Sequence, residues 1–369
     1  MSKFKIIISG GGTGGHIFPA IAIANALKER YPDTDILFVG AEGKMEMEKV
    51  PAAGYKIIGL PIMGLQRRLT LQNLKVPFKL MASLAKAKKI LKEFKPDVVV
   101  GVGGYASGPL LKSATKMGIP ALLQEQNSYP GITNKLLAKK VKTICVAYDG
   151  MEQFFPKEKI ILTGNPVRQD IKNLSSKRDR GLEHFKLEAH KKTVLIIGGS
   201  LGARTINESI EAGLPFFADN DVQLVWQTGK WYAEKAATAV QQYKGKGIYT
   251  MPFIAKMDYA YAVADVVISR AGALSVSELC LTNKPSILVP SPNVAEDHQT
   301  KNAMALVNNN AAILVKDIEA KEVLMTELEK LIKDEPLQEK LKNNIARLAH
   351  KDAADIIAAE VVKLIKRPS

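Results

Sequence analysis

The chain has 369 residues, of which 46% are hydrophobic and 24% charged, a balance that suits two globular domains and excludes a disordered protein. No apolar run reaches the roughly 18 residues needed to span a bilayer, and Met1-Ser2-Lys3-Phe4-Lys5 leads straight into a strand-like run, leaving no room for a signal peptide. The net charge of +15 is uneven, because residues 1–165 hold 24 Lys/Arg against 12 Asp/Glu while residues 166–369 hold 28 against 25, so an anionic partner is expected at the first half. Cys145 and Cys280 sit in apolar runs and read as buried free thiols of a reducing, cytoplasmic compartment.

In chain order, strands are expected over Lys5–Ser9, Asp35–Val39, Tyr55–Leu60, Asp97–Val102, Ala121–Gln124 and Thr143–Ala147. The second half offers Thr193–Ile197, Gln223–Gln227, Gly247–Met251, Val266–Ser269, Ser286–Val289 and Ala312–Val315. Many are apolar at nearly every position, as parallel strands covered on both faces require. Helical stretches separate them, which predicts doubly wound α/β domains. The halves repeat one pattern: Lys5–Ser9 runs into Gly10–His16 and a helix from about Ile17, and Thr193–Ile197 runs into Gly198–Arg204 and a helix. Two Rossmann-like domains facing across a cleft are therefore expected. Thr163-Gly164-Asn165-Pro166 marks the join, polar Ser175–His190 reads as an irregular excursion, and the chain from about Glu319 reads as successive helices.

Gly10-x-Gly12-x-x-Gly15 satisfies a dinucleotide fingerprint, and Glu42 lies near where a ribose-binding acid would follow the second strand. Packed glycines let backbone N–H groups approach an anion at a helix N-terminus, although a simple tight turn would explain them too. His16 occupies the mouth of that turn, where a dinucleotide site wants a small residue. An imidazole there accepts a proton near neutral pH, unless it only caps or packs. Gly198–Arg204 supplies a second cradle with the Ser200 hydroxyl, and two cradles suit a diphosphate donor better than one nicotinamide cofactor.

Ser269–Leu279 follows a strand and opens a helix, where Ala273–Ser277 present amides and hydroxyls. Glu278 is placed to accept two bonds from a ribose diol, or merely suits the helix dipole. Asp297–Asn302 opens the next helix at a strand's carboxyl end, offering Gln299 and Asn302 to sugar hydroxyls and Asp297 as a cap. Gln124-Glu125-Gln126-Asn127 ends a strand with four polar groups that packing hardly explains, and Gly103–Gly108 is a third glycine turn. The sequence has no HExxH, no CxxC pair and no DxD pair, so no metal and no other cofactor is expected, and helix termini with Arg/Lys would have to stabilise a leaving diphosphate.

From Arg67 to Lys95 there are nine basic residues and one acid, Glu93. Met63, Leu65, Leu69, Leu71, Leu74 and Phe78 interleave with Arg67, Arg68 and Lys75, Pro77 starts a helix, and Leu80, Leu84, Ala87, Leu91 and Phe94 form its expected core-facing stripe. No stacking ladder, zinc spacing or RNA-binding signature accompanies the charge, so an anionic membrane surface is expected and nucleic acid is not. Leu65, Arg67, Arg68, Leu69, Leu74, Lys75 and Phe78 are the candidate membrane residues.

The motifs Gly11–Pro19, Gly103–Pro109, Glu125-Gln126-Asn127, Thr163–Arg168, Gly198–Arg204, Pro252-Phe253-Ile254, Arg270–Glu278 and Asp297–Ala303 span almost the whole chain. In that order they resemble the bacterial transferases that add N-acetylglucosamine to the lipid-linked muramyl-pentapeptide of peptidoglycan synthesis. The resemblance implies a GT-B fold, with a first domain over 1–165 plus a C-terminal helix at about 350–369, for acceptor and membrane, and a UDP-sugar domain over 166–349. It implies donor contacts for UDP-N-acetylglucosamine at Thr13, Gly14, Gly15, Asn127, Arg168, Ser200, Ile254, Ala273, Leu274, Ser275, Val276, Ser277, Glu278 and Gln299. Within these it gives Glu278 to the ribose, the Ile254 backbone to uracil and Ser200 to the diphosphate. Gly104, Tyr105 and Ser107 resemble the acceptor side, and His16 stands where the family's proposed general base stands. Gln124 stands where many relatives carry histidine, and Leu201 where some carry glutamine.

The implied reaction is inverting, metal-independent transfer to the C4 hydroxyl of the muramic acid of undecaprenyl-linked lipid I, with Arg168 or Arg270 offsetting charge on departing UDP. It would take place at the cytoplasmic face of the inner membrane, beside other cell-wall synthesis or division proteins. An NAD-dependent oxidoreductase would leave Gly198–Arg204 and Arg270–Glu278 idle. A UDP-N-acetylglucosamine 2-epimerase would not need the basic, apolar surface, and a non-catalytic membrane sensor is a third alternative.

Overall fold

The computed structural model describes residues 4–63, 76–171, 173–199 and 201–366. Chain contacts divide it into two compact units, one of residues 1–168 with 352–369 and the other of 169–351.

Unit 1 is built on seven parallel strands: β1 (Lys5–Gly10), β2 (Asp35–Ala41), β3 (Lys56–Leu60), β4 (Val98–Gly103), β5 (Ala121–Glu125), β6 (Thr143–Val146) and β7 (Ile160–Leu162). Their spatial order is β3-β2-β1-β4-β5-β6-β7. Strand β7, three residues at the sheet edge, is one the sequence reading missed. The order reverses between β1 and β4, the place where open α/β sheets bind ligands at the carboxyl ends of their strands. There the β1–β4 register slips, with Ser9 opposite Gly101 but Gly10 opposite Gly103.

Alternating β1 side chains feed two cores. Ile6 and Ile8 face helix α1 (Gly14–Arg30) and the C-terminal helix α15 (Ala353–Lys366), whose Ile357, Ala358 and Val361 are fully buried. Ile7 faces the opposite core, with α3 (Val76–Phe94) and α4 (Ser107–Lys116). Arg30 adds an ion pair to Asp355 at 3.2 Å. Helix α3 departs from its expected stripe: it buries Ser83, Ala87, Ile90 and Leu91, while residues 77–82 are all exposed, Leu80 among them. The short helices α2 (Glu46–Ala52) and α5 (Ile132–Leu137) complete the unit.

Unit 2 carries six parallel strands: β8 (Thr193–Ile197), β9 (Gln223–Gln227), β10 (Ile248–Met251), β11 (Val266–Ser269), β12 (Ser286–Leu288) and β13 (Ile313–Leu314). Their order, β10-β9-β8-β11-β12-β13, puts the switch between β8 and β11. The stretch read as irregular holds helix α6 (Arg178–Phe185), which buries Gly181, Leu182 and Phe185. It packs on α10 (Met257–Val263) so closely that a Cβ at Gly181 would lie 2.9 Å from the Tyr259 carbonyl oxygen. The unit also holds α7 (Arg204–Ala212), α8 (Leu214–Asp219), α9 (Ala233–Ala239), α11 (Ala273–Thr282) and α12 (His298–Val307), of which α7, α11 and α12 bear on the site. Helices α13 (Ala320–Lys333) and α14 (Glu335–Ala346) close the core around buried Leu324, Leu328, Leu331 and Leu341.

Candidate active site

In unit 1 the glycine turn after β1 enters α1 at Gly14, three residues before the expected start, so Gly14, Gly15 and His16 form the open first turn. Thr13 is exposed and the next three residues are partly buried. His16 Nδ1 lies 3.1 Å from the Gly11 carbonyl oxygen and 3.3 Å from Thr13 Oγ1. A carbonyl can only accept, so the Gly11 contact places the proton on Nδ1 and the lone pair on Nε2. Nε2 faces the β4–α4 turn: a Cβ at Gly103 (φ +104°) would lie 2.8 Å from it. A Cβ at Gly104 would lie 2.3 Å from the Gly11 carbonyl oxygen, so the two turns meet backbone to backbone. Tyr105 is half exposed beside them, whereas Ser107 is fully buried and its hydroxyl donates to the Ser9 and Gly103 carbonyls at 2.9 and 2.8 Å. Ser107 therefore ties β1 to β4, which corrects its placement on the acceptor side.

The acid after β2 is also reassigned. Glu42 is half exposed and pairs with Lys86 at 2.7 Å. The buried carboxylate is Glu46, whose Oε2 accepts from Gly12 N and Oε1 from Ala41 N, each at 2.9 Å. The sequence reading passed over it.

At the end of β5, packing does explain three of the four polar residues. Gln124 donates to Asn165 at 3.1 Å, and Gln126 donates to the Val102 carbonyl at 2.6 Å. Glu125 accepts from the Asn127 and Gly131 amides at 3.0 and 3.1 Å and from Asn134 Nδ2 at 2.8 Å. Burial pushes its carboxyl pKa up despite these donors. Asn127 alone of the four is not fully buried, and Arg168, partly buried, closes the unit.

In unit 2 the turn after β8 uses Gly199 and Gly202 at positive φ, and a Cβ at Gly202 would lie 2.3 Å from the Thr228 carbonyl oxygen. Asn207, buried on α7, donates to that carbonyl at 2.7 Å and accepts from Trp226 Nε1 at 2.9 Å. Ile254 is buried, and its amide donates to Gln227 Oε1 at 3.3 Å.

Helix α11 begins at Ala273 as the glycine-led pattern implies. Leu274 and Ser275 are partly buried, and Val276 is buried in the core. The Ser277 hydroxyl folds back to the Ala273 carbonyl at 3.0 Å. Glu278 Oε2 accepts from the buried Tyr261 hydroxyl at 3.0 Å, a partner that no sequence motif announced. Arg270 is committed elsewhere: it pairs with Asp317 at 2.5 Å and donates to the Val289 and Pro290 carbonyls, so it ties the end of β11 to the segment after β12 and to the turn before α13 instead of meeting a leaving group. On α12, Gln299 accepts from Ser291 N at 2.9 Å, while Asn302 is fully buried against the Ala271 carbonyl, which removes it from sugar binding.

Ser200, Leu65, Arg67, Arg68, Leu69, Leu74 and Lys75 lie outside the described residues, and Phe78 is 75% exposed. Among the described residues no group of three or more His, Cys, Asp or Glu is placed to hold a metal ion. Cys145 and Cys280 are free and buried, and burial pushes the Cys280 thiol up to about 12.

Residues 6–146 match the glycosyltransferase family 28 N-terminal domain and residues 193–357 its C-terminal domain. The chain belongs to glycosyltransferase family 28. Relatives from Parabacteroides distasonis and Phocaeicola vulgatus are 57% and 59% identical, the first over 100% of both chains, the second over 98% of this chain and 96% of its own. Both are named UDP-N-acetylglucosamine--N-acetylmuramyl-(pentapeptide) pyrophosphoryl-undecaprenol N-acetylglucosamine transferase. The crystal structure of Acinetobacter baumannii MurG superposes with a TM-score of 0.77 at 27% identity, covering 98% of this chain and 100% of that one. A UDP-N-acetylglucosamine 2-epimerase from Neisseria meningitidis, bound to UDP-GlcNAc, reaches 0.67 at 15% identity over 98% of this chain and all of its own, a likeness of fold alone. The family 28 chain is thus a hexosyltransferase with two Rossmann-like units of the GT-B fold, and the epimerase alternative is not favoured.

Proposed function

We infer that this chain transfers N-acetylglucosamine from UDP-N-acetylglucosamine to the C4 hydroxyl of the muramic acid of undecaprenyl-pyrophosphoryl-linked MurNAc-pentapeptide, making lipid II for peptidoglycan. The observation that carries this reading is end-to-end identity of 57–59% to transferases of that name.

The chemistry divides between the units. In unit 2, Glu278 takes the ribose diol with one oxygen while Tyr261 holds the other. The Ile254 backbone meets uracil, Ser200 with Ala273–Ser277 meets the diphosphate, and Gln299 meets the sugar. Thr13, Gly14, Gly15, Asn127 and Arg168 complete the donor contacts, and Gly104 with Tyr105 contacts the acceptor. The acceptor O4 attacks C1 of the donor sugar opposite UDP. Its proton passes to His16 Nε2, the C1–O bond breaks with its electron pair leaving on UDP, and inversion gives a β-1,4 linkage. Backbone amides at helix N-termini and Arg168 stabilise the departing charge.

Unit 1 docks on an anionic membrane surface from the cytoplasmic side. The field of its first 165 residues supports this, as do Phe78 and Met81, 75% and 69% exposed on a helix whose first turns meet no core. Ile132 and Leu136, a turn apart on α5, are likewise exposed. No helix among the described residues is long and apolar enough to cross a membrane. Incubation with radiolabelled UDP-N-acetylglucosamine and bacterial membranes tests the whole reading. Label in a butanol-extractable lipid is expected; free epimer, or an unconsumed donor, overturns it.

A further inference from the structure

The Gly11–Gly12 peptide is held at both ends. Its N–H donates to Glu46 Oε2 at 2.9 Å, and its carbonyl oxygen lies 3.1 Å from His16 Nδ1. Glu46 is fully buried, and its second oxygen accepts from Ala41 N. The fit is tight from every side. A Cβ at Gly11 would fall 2.1 Å from Glu46 Oε1, and one at Gly40 would fall 2.5 Å from Glu46 Cγ. Nothing in the assigned chemistry uses this carboxylate.

From this geometry we propose that Glu46 is a positioning residue for His16, acting through the single peptide between them. A general base works best when a third group fixes its orientation and tautomer. Here the third group is a carbonyl whose own peptide is polarised by a buried carboxylate. Charge on the N–H side of a peptide raises electron density on its oxygen, so the His16 Nδ1–H bond strengthens, most of all once the ring becomes an imidazolium. The Nε2 lone pair is thereby held towards the Gly103–Gly104 turn, the side to which the proposed function brings the acceptor hydroxyl.

This inference rests on His16 as the base, so the test separates the two. Nitrogen-15 spectra of histidine-labelled full-length protein, with the His16 signals identified by their loss in His16→Gln, read the tautomer without any turnover. The unmodified protein is expected to carry the Nδ1–H form; an Nε2–H form overturns the proposal without need of a variant. In Glu46→Gln the side-chain amide faces the Gly12 N–H or the Ala41 N–H with a donor, and the tautomer should shift towards a mixture. Turnover should fall by about 10- to 100-fold, with KM for UDP-N-acetylglucosamine nearly unchanged, and Glu46→Asp should lie between the two. In a His16→Ala background the same change should cost little more, because its target is gone. An unchanged tautomer in folded Glu46→Gln, or the full loss repeated on top of His16→Ala, overturns it. A His16→Ala enzyme with near-normal turnover removes the base reading, and the tautomer spectra then still decide what Glu46 does.

Discussion

His16 gains its meaning from its neighbours at the turn. Its Nδ1 faces the Gly11 carbonyl and its Nε2 the α-carbon of Gly103, so the ring has one orientation with an acceptor lone pair. Replacing His16 by Ala should lower turnover by roughly two to four orders of magnitude while leaving the circular dichroism spectrum intact; near-normal rates would take it out of the chemistry. Tyr261→Phe tests the donor side. Loss of its bond to Glu278 should raise KM for UDP-N-acetylglucosamine about three- to tenfold with kcat little changed. Lys284 is a residue of stability, not of the site. Burial outweighs the nearby Asp265 charge and pulls its pKa down to about 8, while Nζ donates to the Ala264 carbonyl at 2.6 Å. The folded chain therefore binds fewer protons than the unfolded one between about pH 8 and the usual lysine value of 10.5, so stability should rise with pH across that window. Lys284→Met should abolish the slope and raise neutral-pH stability by on the order of 2 kcal/mol, net of the lost hydrogen bond, as read in urea titrations.

Among the elements, α15 completes one of the two cores of unit 1. Its Ile357 is fully buried against α1, and Ile357→Ala should cost about 2–5 kcal/mol in the unfolding transition of that unit without moving the other. Strands were the most legible elements, because both-face burial demands β-branched runs such as Ile6-Ile7-Ile8 that nothing else in the chain imitates. Strand β7 escaped because three residues at a sheet edge carry too little pattern, and α6 because a helix buried only along Gly181, Leu182 and Phe185 looks polar in sequence. At the site, the turns and helix starts could be read because glycine spacing reports backbone geometry directly. What could not be read was burial of polar groups. Ser107, Asn302 and Gln124 looked like ligand contacts but serve the fold, and Glu46 and Tyr261 looked ordinary because their partners lie 34 and 17 residues away.

For the molecule as a whole, the proposed docking on an anionic surface makes charge the quantity to test. With residues 1–165 carrying 24 basic side chains against 12 acidic ones, binding to phosphatidylglycerol vesicles should weaken steeply as salt rises, and neutral phosphatidylcholine vesicles should retain little protein in sedimentation. Replacing Phe78 and Met81 by Ser should weaken binding at every salt concentration, since their part is apolar; salt-independent binding to both vesicle types would remove the electrostatic account.

The division of the chain has a further consequence for its birth on the ribosome. Helix α15 shares one core with Ile17, Ala20, Ile23 and Ala24 of α1, yet it is synthesised only after the whole of unit 2 has emerged. Unit 1, most of which precedes unit 2 in the chain, is thus completed after it, and a nascent chain stopped before residue 353 leaves part of that core bare. Premature termination would yield a product whose second unit can mature while its first invites chaperones and proteases, so the unit that carries His16 is finished only when residues 353–366 have been made.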